Sequence, residues 1–309
     1  MAGMKRYVII KLIAAIPVIL GATVIVFSIM HLTPGDPVRL ILGDRFSPER
    51  VEELREQLGL DKPLPVQYFR WLAGAVRGDL GISTAARASV STLIFERIPY
   101  TLLLTVTAMA ISVLLGIPIG VISAVKQYTI VDHISMAAAL FWLSMPGFWL
   151  GLMFMLLFGL WLGWLPLSGY SGSKSLILPA LTLGLPQIGM LARLMRSEML
   201  EVLREDYVMT ARAKGLKEFL VMYKHALRNA VISVIVYLFL GIPWLISGAV
   251  VVETIFAWPG MGRLLYRAIL TKDFPIVQGV IFIIAILTVL CNLLGDIVTG
   301  FLDPRIRHE

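Results

Sequence analysis

Charge is scarce in this 309-residue chain. Asp, Glu, Lys and Arg make up 15% of it, against about 25% in soluble domains. A disordered chain is excluded, because disorder goes with high charge and low apolar content, and a soluble two-domain enzyme is disfavoured. Cysteine is almost absent: the single Cys291 leaves no internal disulfide framework and no thiolate zinc cluster. There is no G-x-x-x-x-G-K-[ST] phosphate loop, so the chain does not hydrolyse ATP by that route. What is abundant is apolar, at 58%. A net charge of +7 in a soluble chain would point to nucleic acid. In a chain this apolar it points to basic loops on one side of a membrane.

Six stretches are apolar over the roughly 20 residues a helix needs to cross a bilayer. They are residues 9–30, 101–125, 134–165, 176–195, 230–252 and 277–301. Lys5 and Arg6 could open a signal peptide, but the run after them is too long and holds Lys11 and Pro17. It is read as a retained anchor. Lys and Arg in the short loops give the orientation. One side holds both termini, Lys126 and the stretch from Arg193 to Arg228. The other short loops hold only Lys174, Arg263, Arg267 and Lys272. Both termini are expected in the cytoplasm.

Residues 31–98 are the one sizeable polar segment, and their basic and acidic residues balance. Ser47-Pro48-Glu49 reads as a helix start and Gly59 as its stop. A second helix is expected over residues 66–76, ended by Gly78 and Gly81. Its Tyr68, Phe69, Trp71 and flanking arginines fit a helix at the outer membrane surface, a cap on the outer mouth, or both.

The spans carry breaks. Gly116-Ile117-Pro118-Ile119-Gly120 is expected to bend the second, Pro146-Gly147 to interrupt the third, and Pro179 and Pro186 to interrupt the fourth. Such helices pack on one another or line a cavity, because freed carbonyls need partners. Ionisable residues in the spans are few: Lys11, Asp296 and, at the membrane edge of the fourth, Arg193. An ion-coupled secondary transporter usually keeps carboxylates or broken-helix ion sites at mid-membrane, so this reading is weakened. Gly169-Tyr170-Ser171-Gly172 spells the G-x-S-G of intramembrane serine proteases. That chemistry needs a histidine base, and none of His31, His133, His225 and His308 lies in a later span. A polar turn is the plainer reading.

The loop between the fourth and fifth spans says most. The fourth helix should run on through Met195, Met199 and Val202. A short helix follows. Glu205 and Asp206 sit at its start, where anions are favoured, and Gly215 sits at its end, where glycine turns left-handed. Ala211, Ala213 and Gly215 are small, so the helix can press close to a partner protein.

Asp206-Tyr207 through Thr210-Ala211-Arg212-Ala213-Lys214-Gly215-Leu216 to His225-Ala226-Leu227-Arg228-Asn229-Ala230 resembles the EAA loop of ABC importer permeases of the dipeptide/oligopeptide/nickel type. Pro34-Gly35-Asp36-Pro37, residues 58–68, Arg77-Gly78-Asp79-Leu80-Gly81, residues 253–262 and Leu302-Asp303-Pro304-Arg305 resemble the same family in order. The general pattern E-A-A-x3-G-x9-I-x-L-P, anchored on Gly215, falls on Met209, Thr210, Ala211, Gly215, His225, Leu227 and Arg228. Only Ala211, Gly215 and Leu227 match, as is common in the peptide-type branch.

The resemblance implies an all-α membrane protein: six transmembrane helices in the type I ABC importer permease fold, with a small helical extracytoplasmic insertion between helices 1 and 2. The expected divisions are residues 1–32, an outer segment 33–96, the transmembrane domain 97–302 with its coupling loop at 194–229, and a tail 303–309. The resemblance assigns ATPase coupling to Glu205, Asp206, Tyr207, Thr210, Ala211, Ala213, Lys214, Gly215 and Leu227, with Ala211 expected to face the ATPase. Trp258, Pro259 and Gly260 would form an outer gate or a receptor-docking element. The implied partners are a second permease chain, related or identical, two ATPase subunits and an extracytoplasmic binding protein. ATP and Mg would sit on the partner subunits, and this chain would bind no cofactor, no metal and no nucleic acid. The implied setting is the plasma (inner) membrane of a prokaryote. The family carries di- and oligopeptides, glutathione, nickel complexes and other small solutes.

Overall fold

The structure, a computed structural model, describes residues 2–32 and 47–302. Pro34-Gly35-Asp36-Pro37, the Asp303-Pro304-Arg305 ending and the tail 303–309 lie outside the described residues. The helices are α1 (Ala2–Leu32), α2 (Pro48–Leu58), α3 (Leu64–Val76), α4 (Val90–Val125), α5 (Ile130–Ser144) and α6 (Gly147–Phe154). They continue with α7 (Ile177–Val202), α8 (Asp206–Ala213), α9 (Glu218–Ile255), α10 (Met261–Leu270) and α11 (Phe274–Leu302). α6 runs on as a π-helix over Met155–Trp161. Five helices are long and apolar enough to cross a membrane, or six if α5 and α6 form one bent span. The described residues hold no strand, only an isolated bridge between Ile82 and Ser89.

Most spans are longer than their apolar runs. α4 starts eleven residues before the expected 101, because Val90 and Ile94 are buried and extend its inward face. α5 starts at Ile130 and α9 runs to Ile255, so Asp132 and Glu253 lie within helices. The two breaks expected in the fourth span are absent. Pro179 falls in the first turn of α7, where its missing N–H would have no helical partner anyway, and Pro186 lies inside the unbroken helix. The Gly116–Gly120 stretch, expected to bend the second span, is helical throughout. The break at Pro146 is real: α5 and α6 meet at 100°. Met145 stands in extended backbone (φ −77, ψ 130), as a residue before proline prefers.

The chain forms two compact units. One comprises Met1–Val8, Leu102–Trp258 and Cys291–Glu309, and the other Ile9–Thr101 and Pro259–Leu290. In the first, α7 packs on α5 and α9. Small residues set its approach to α4: a Cβ on Gly184 would stand 3.1 Å from the Ala108 carbonyl oxygen, and one on Gly116 2.8 Å from Leu191 Cβ. A Cβ on Gly189 would meet the Ala139 carbonyl oxygen closer still. Lipid offers no hydrophobic drive between helices, so close contact across small residues supplies the attraction.

In the second unit, Ala75, Leu80, Val90, Ile94, Met261 and Val280 are among the core residues. α3 is pinned by its aromatics. The hydroxyls of Tyr68 and Thr23 are 2.9 Å apart, the Tyr68 ring meets Phe27 edge-on, and Trp71 meets Phe282. Phe69 and Val76 are exposed. Tyr68 and Trp71 thus face the chain, and Phe69 faces away from it.

Candidate functional site

The loop after α7 folds as a short helix with defined ends. Glu205 precedes α8 in extended backbone (φ −69, ψ 144), and Asp206 fills the first turn. Neither side chain caps the helix by a hydrogen bond, so both carboxylates act on the helix start through charge alone. Gly215 has φ +75. Its amide donates to Arg212 O (2.9 Å), and Leu216 N–H donates to Ala211 O (3.4 Å). These two bonds form a Schellman motif, which satisfies carbonyls that the helix end would orphan. Arg212 closes the turn from outside, giving Nε and Nη2 to the two carboxylate oxygens of Glu218 at 3.2 and 2.8 Å.

One face of α8 rests on its own chain. Val208 and Ala211 are buried against Val221, with Val202 and Leu203 beside them. The expectation that Ala211 presents its methyl to a partner is therefore not met, since the residue is 6% exposed. A small residue at this position lets α8 sit close to the foot of α7. Asn229 Nδ2 donates to the Tyr207 hydroxyl at 2.7 Å, and Thr210 Oγ1 donates to Asp206 O at 2.8 Å. Leu227 is half-buried against the core formed by Met195, Met199 and Ala226. Ala213 and Lys214 are exposed.

The opposite side of the loop is exposed and apolar. Met209 is 59% exposed and Phe219 71%. Tyr207, Leu216, Leu220 and Tyr223 are exposed too, and the rings of Phe219 and Tyr223 lie 4.4 Å apart. A π-helical stretch, Val221–Ala226, follows the first turn of α9, burying Val221 and Met222 while Tyr223 and Lys224 face out. Nothing in the apolar pattern signalled that extra residue per turn.

The Trp258-Pro259-Gly260 break is a turn after α9. Ala257 has φ +50. Trp258 is fully buried and meets Tyr170 edge-on at 5.2 Å. Its indole is therefore packed inside rather than offered to a receptor. Gly260 is buried in extended backbone and starts α10. In Gly169-Tyr170-Ser171-Gly172 both glycines have positive φ, as in a turn. Gly169 N–H donates to Phe256 O, and Ser171 N–H to Ser175 Oγ.

One cluster escaped the sequence. Arg196 of α7 gives Nε and Nη2 to the two oxygens of Asp132 of α5, each at 2.7 Å. The same carboxylate accepts from the Ser123 hydroxyl of α4 and from Tyr128 N–H at 2.9 Å. Its side chain is 2% exposed and that of Arg196 23%. Sixty-four residues separate the partners, so no local spacing could have paired them.

The chain is similar to known transport proteins. Residues 116–308 match the family described as "Binding-protein-dependent transport system inner membrane component", and residues 4–105 match the corresponding N-terminal family. The dipeptide transport system permease protein DppB of Escherichia coli K12 is 39% identical, over 99% of this chain and all of that one. The glutathione transport system permease protein GsiC of Escherichia coli O6:H1 is 40% identical over the same shares. A chain of the inward-facing MetNI methionine ABC transporter superposes with a TM-score of 0.60 at 18% identity, covering 68% of this chain and 96% of that one. At that identity the likeness is one of fold.

Proposed function

Since the chain belongs to the family of binding-protein-dependent transport system inner membrane components, we propose that it is the permease subunit of an ATP-driven peptide importer. Such a subunit is not itself catalytic. It works with an ATPase and with a substrate-binding protein. The peptide substrate is carried over from relatives named for dipeptide and glutathione transport. In this reading α5 and α6 together make the third of six spans, and residues 33–96 form the outer insertion. Residues 97–302 form the transmembrane domain, and both termini and the tail 303–309 are cytoplasmic. A second permease chain supplies the other half of the path. Two ATPase subunits hold ATP and Mg. Trp258, Pro259 and Gly260 shape the outer mouth, with Trp258 as an internal anchor.

The observation that carries the proposal is the split character of the loop at α8. One face is locked to its own chain, Val208 and Ala211 against Val221 at the start of α9, with Val202 and Leu203 at the foot of α7 beside them. The other bears Met209 and Phe219, large apolar side chains in the open. Exposed apolar groups rimmed by charge mark a protein-docking surface. ATP binding would move the partner, and the locked face would pass that movement into α7. Such a device biases a two-state element through contacts that differ between its states.

Gly215→Asp tests it. No atom lies within 4 Å of a Cβ at Gly215, so the substitution meets no clash. It puts a side chain into the left-handed region, which Asp tolerates better than most residues, at about 1 kcal/mol, and adds a negative charge at the helix C-terminus, where anions are disfavoured. Expected is a chain that inserts but whose complex loses binding-protein-stimulated ATPase. Normal stimulation in the reconstituted variant would overturn the assignment of α8. Uptake by the purified chain alone under an ion gradient would overturn the whole reading.

A further inference from the structure

We propose that Asp132 and Arg196 form the clasp that makes the foot of α7 and the base of α5 move as one body, so that motion received at α8 reaches the bent pair α5–α6. The proposal rests on the reading of α8 as the coupling helix.

Three observations meet at this point. First, α8 is bound to the end of α7. Only Leu203, Arg204 and Glu205 separate them, and Val202 and Leu203 pack on the core of α8. A displacement of α8 therefore reaches the end of α7, the helix that carries Arg196, as well as the start of α9, on which α8 also packs. Second, the remaining α7 contacts with α4 and α5 near this end are apolar or steric. Gly120 faces Ala192 and Met195, and Gly189 faces Ala139. Smooth faces of this kind permit small sliding movements of packed helices. Third, the Asp132 carboxylate binds four donors from three elements: Ser123 on α4, Tyr128 N–H in the following turn, and both guanidinium nitrogens of Arg196 on α7. A planar fork on a carboxylate fixes orientation as well as distance. It resists both sliding and rotation, which the smooth contacts do not.

Buried ion pairs contribute little net stability once desolvation is counted. A pair with all carboxylate sites filled is better suited to fixing one geometry than to holding the fold. Asp132 lies in the first turn of α5, and the far end of that helix is the 100° break at Pro146. A rigid joint at the base of α5 turns a push on α7 into a swing at the break. Asp132 and Arg196 are positioning residues and touch no substrate.

The test uses the complete complex in liposomes with ATP and its binding protein. Asp132→Asn/Arg196→Gln removes both charges together, so no unpaired charge is left buried. Expected are retained ATPase co-purification, retained basal hydrolysis and a loss of binding-protein stimulation of about fivefold or more. Arg196→Lys keeps the charge but not the fork, and should give an intermediate stimulation. In a Cys291→Ser background, spin labels at Ile134 on α5 and Arg204 after α7, both exposed, should keep one separation with and without ATP in the wild type. In the double variant ATP should shift it. Wild-type stimulation in the double variant, or in Arg196→Lys if the double variant fails to assemble, would overturn the clasp. So would a wild-type label separation that changes on adding ATP. Failure of the coupling reading looks different: the wild-type chain would not retain ATPase subunits, and Gly215→Asp would stay coupled.

Discussion

Glycines in the spans of this chain divide into those that make room and those that do not. Gly189 is of the first kind. An added methyl would run into the Ala139 carbonyl oxygen, which belongs to backbone and cannot swing away. Gly241, in α9, has nothing within 4 Å of its absent Cβ and no positive φ. Gly189→Ala should therefore cost about 1–3 kcal/mol by overpacking. Gly241→Ala should be neutral or gain up to about 1 kcal/mol of helix propensity. Thermal melts of the two variants in one detergent would check this, and equal melting temperatures would show that α5 and α7 yield more easily than their contact implies. Sequence spoke only partly here. Gly215 was legible, because a glycine after a short run with an anionic start has one obvious use. Ala211 was legible as small but not in direction. Which face of an eight-residue helix turns inward depends on Val221, ten residues further on.

The elements were legible where the solvent dictates them and not where the chain itself does. A bilayer fixes how long an apolar helix must be, so the spans could be read from composition. Their true ends could not, because Val90, Ile94 and Asp132 are buried by the chain and not by lipid. Prolines misled in the same way. At Pro179 helix position decides, and position is not a property of the residue. The segment between Gly81 and α4 shows what pins an end. Asp273, fully buried in the turn between α10 and α11, accepts from Ser83 Oγ at 2.5 Å and from Ala85 N–H at 3.0 Å. Its second oxygen has no hydrogen-bond partner among the described residues. Ser83→Ala would leave the carboxylate with the backbone donor alone. A lost hydrogen bond to a buried charged group costs about 1.5–3 kcal/mol. The expected result is a lower melting temperature and faster proteolysis around residues 82–89. An unchanged cleavage pattern would mean that the Ala85 amide suffices.

Across the chain, burial is uneven in a way that bears on partners. Of the most apolar stretch of each candidate span, 67% is buried in the helix containing α7 but only 11–28% in the other four. The helix containing α7 is the most covered of the five, and the other four keep more of their apolar side chains exposed, which lipid can cover at no penalty. The loop at α8 is different, because its exposed Met209, Phe219 and Tyr223 sit among Lys214, Lys217 and Lys224 and face water in the separated subunit. They contribute almost nothing to the stability of this chain. Exposed substitutions away from structural features stay within about 0.5 kcal/mol. Met209→Ser/Phe219→Ser should therefore melt within about 2 °C of the wild type. If these side chains are what an ATPase grips, the same variant should lose co-purification of that subunit, since truncating large buried anchors dominates interface energetics. Gly215→Asp disturbs the geometry of the turn, whereas this pair leaves the turn and its Schellman bonds intact and removes only the side chains. Retained ATPase at wild-type ratio in a normally folded double variant would move the docking surface off this patch. A lowered melting temperature would show instead that Phe219 packs within its own chain more than its exposure implies.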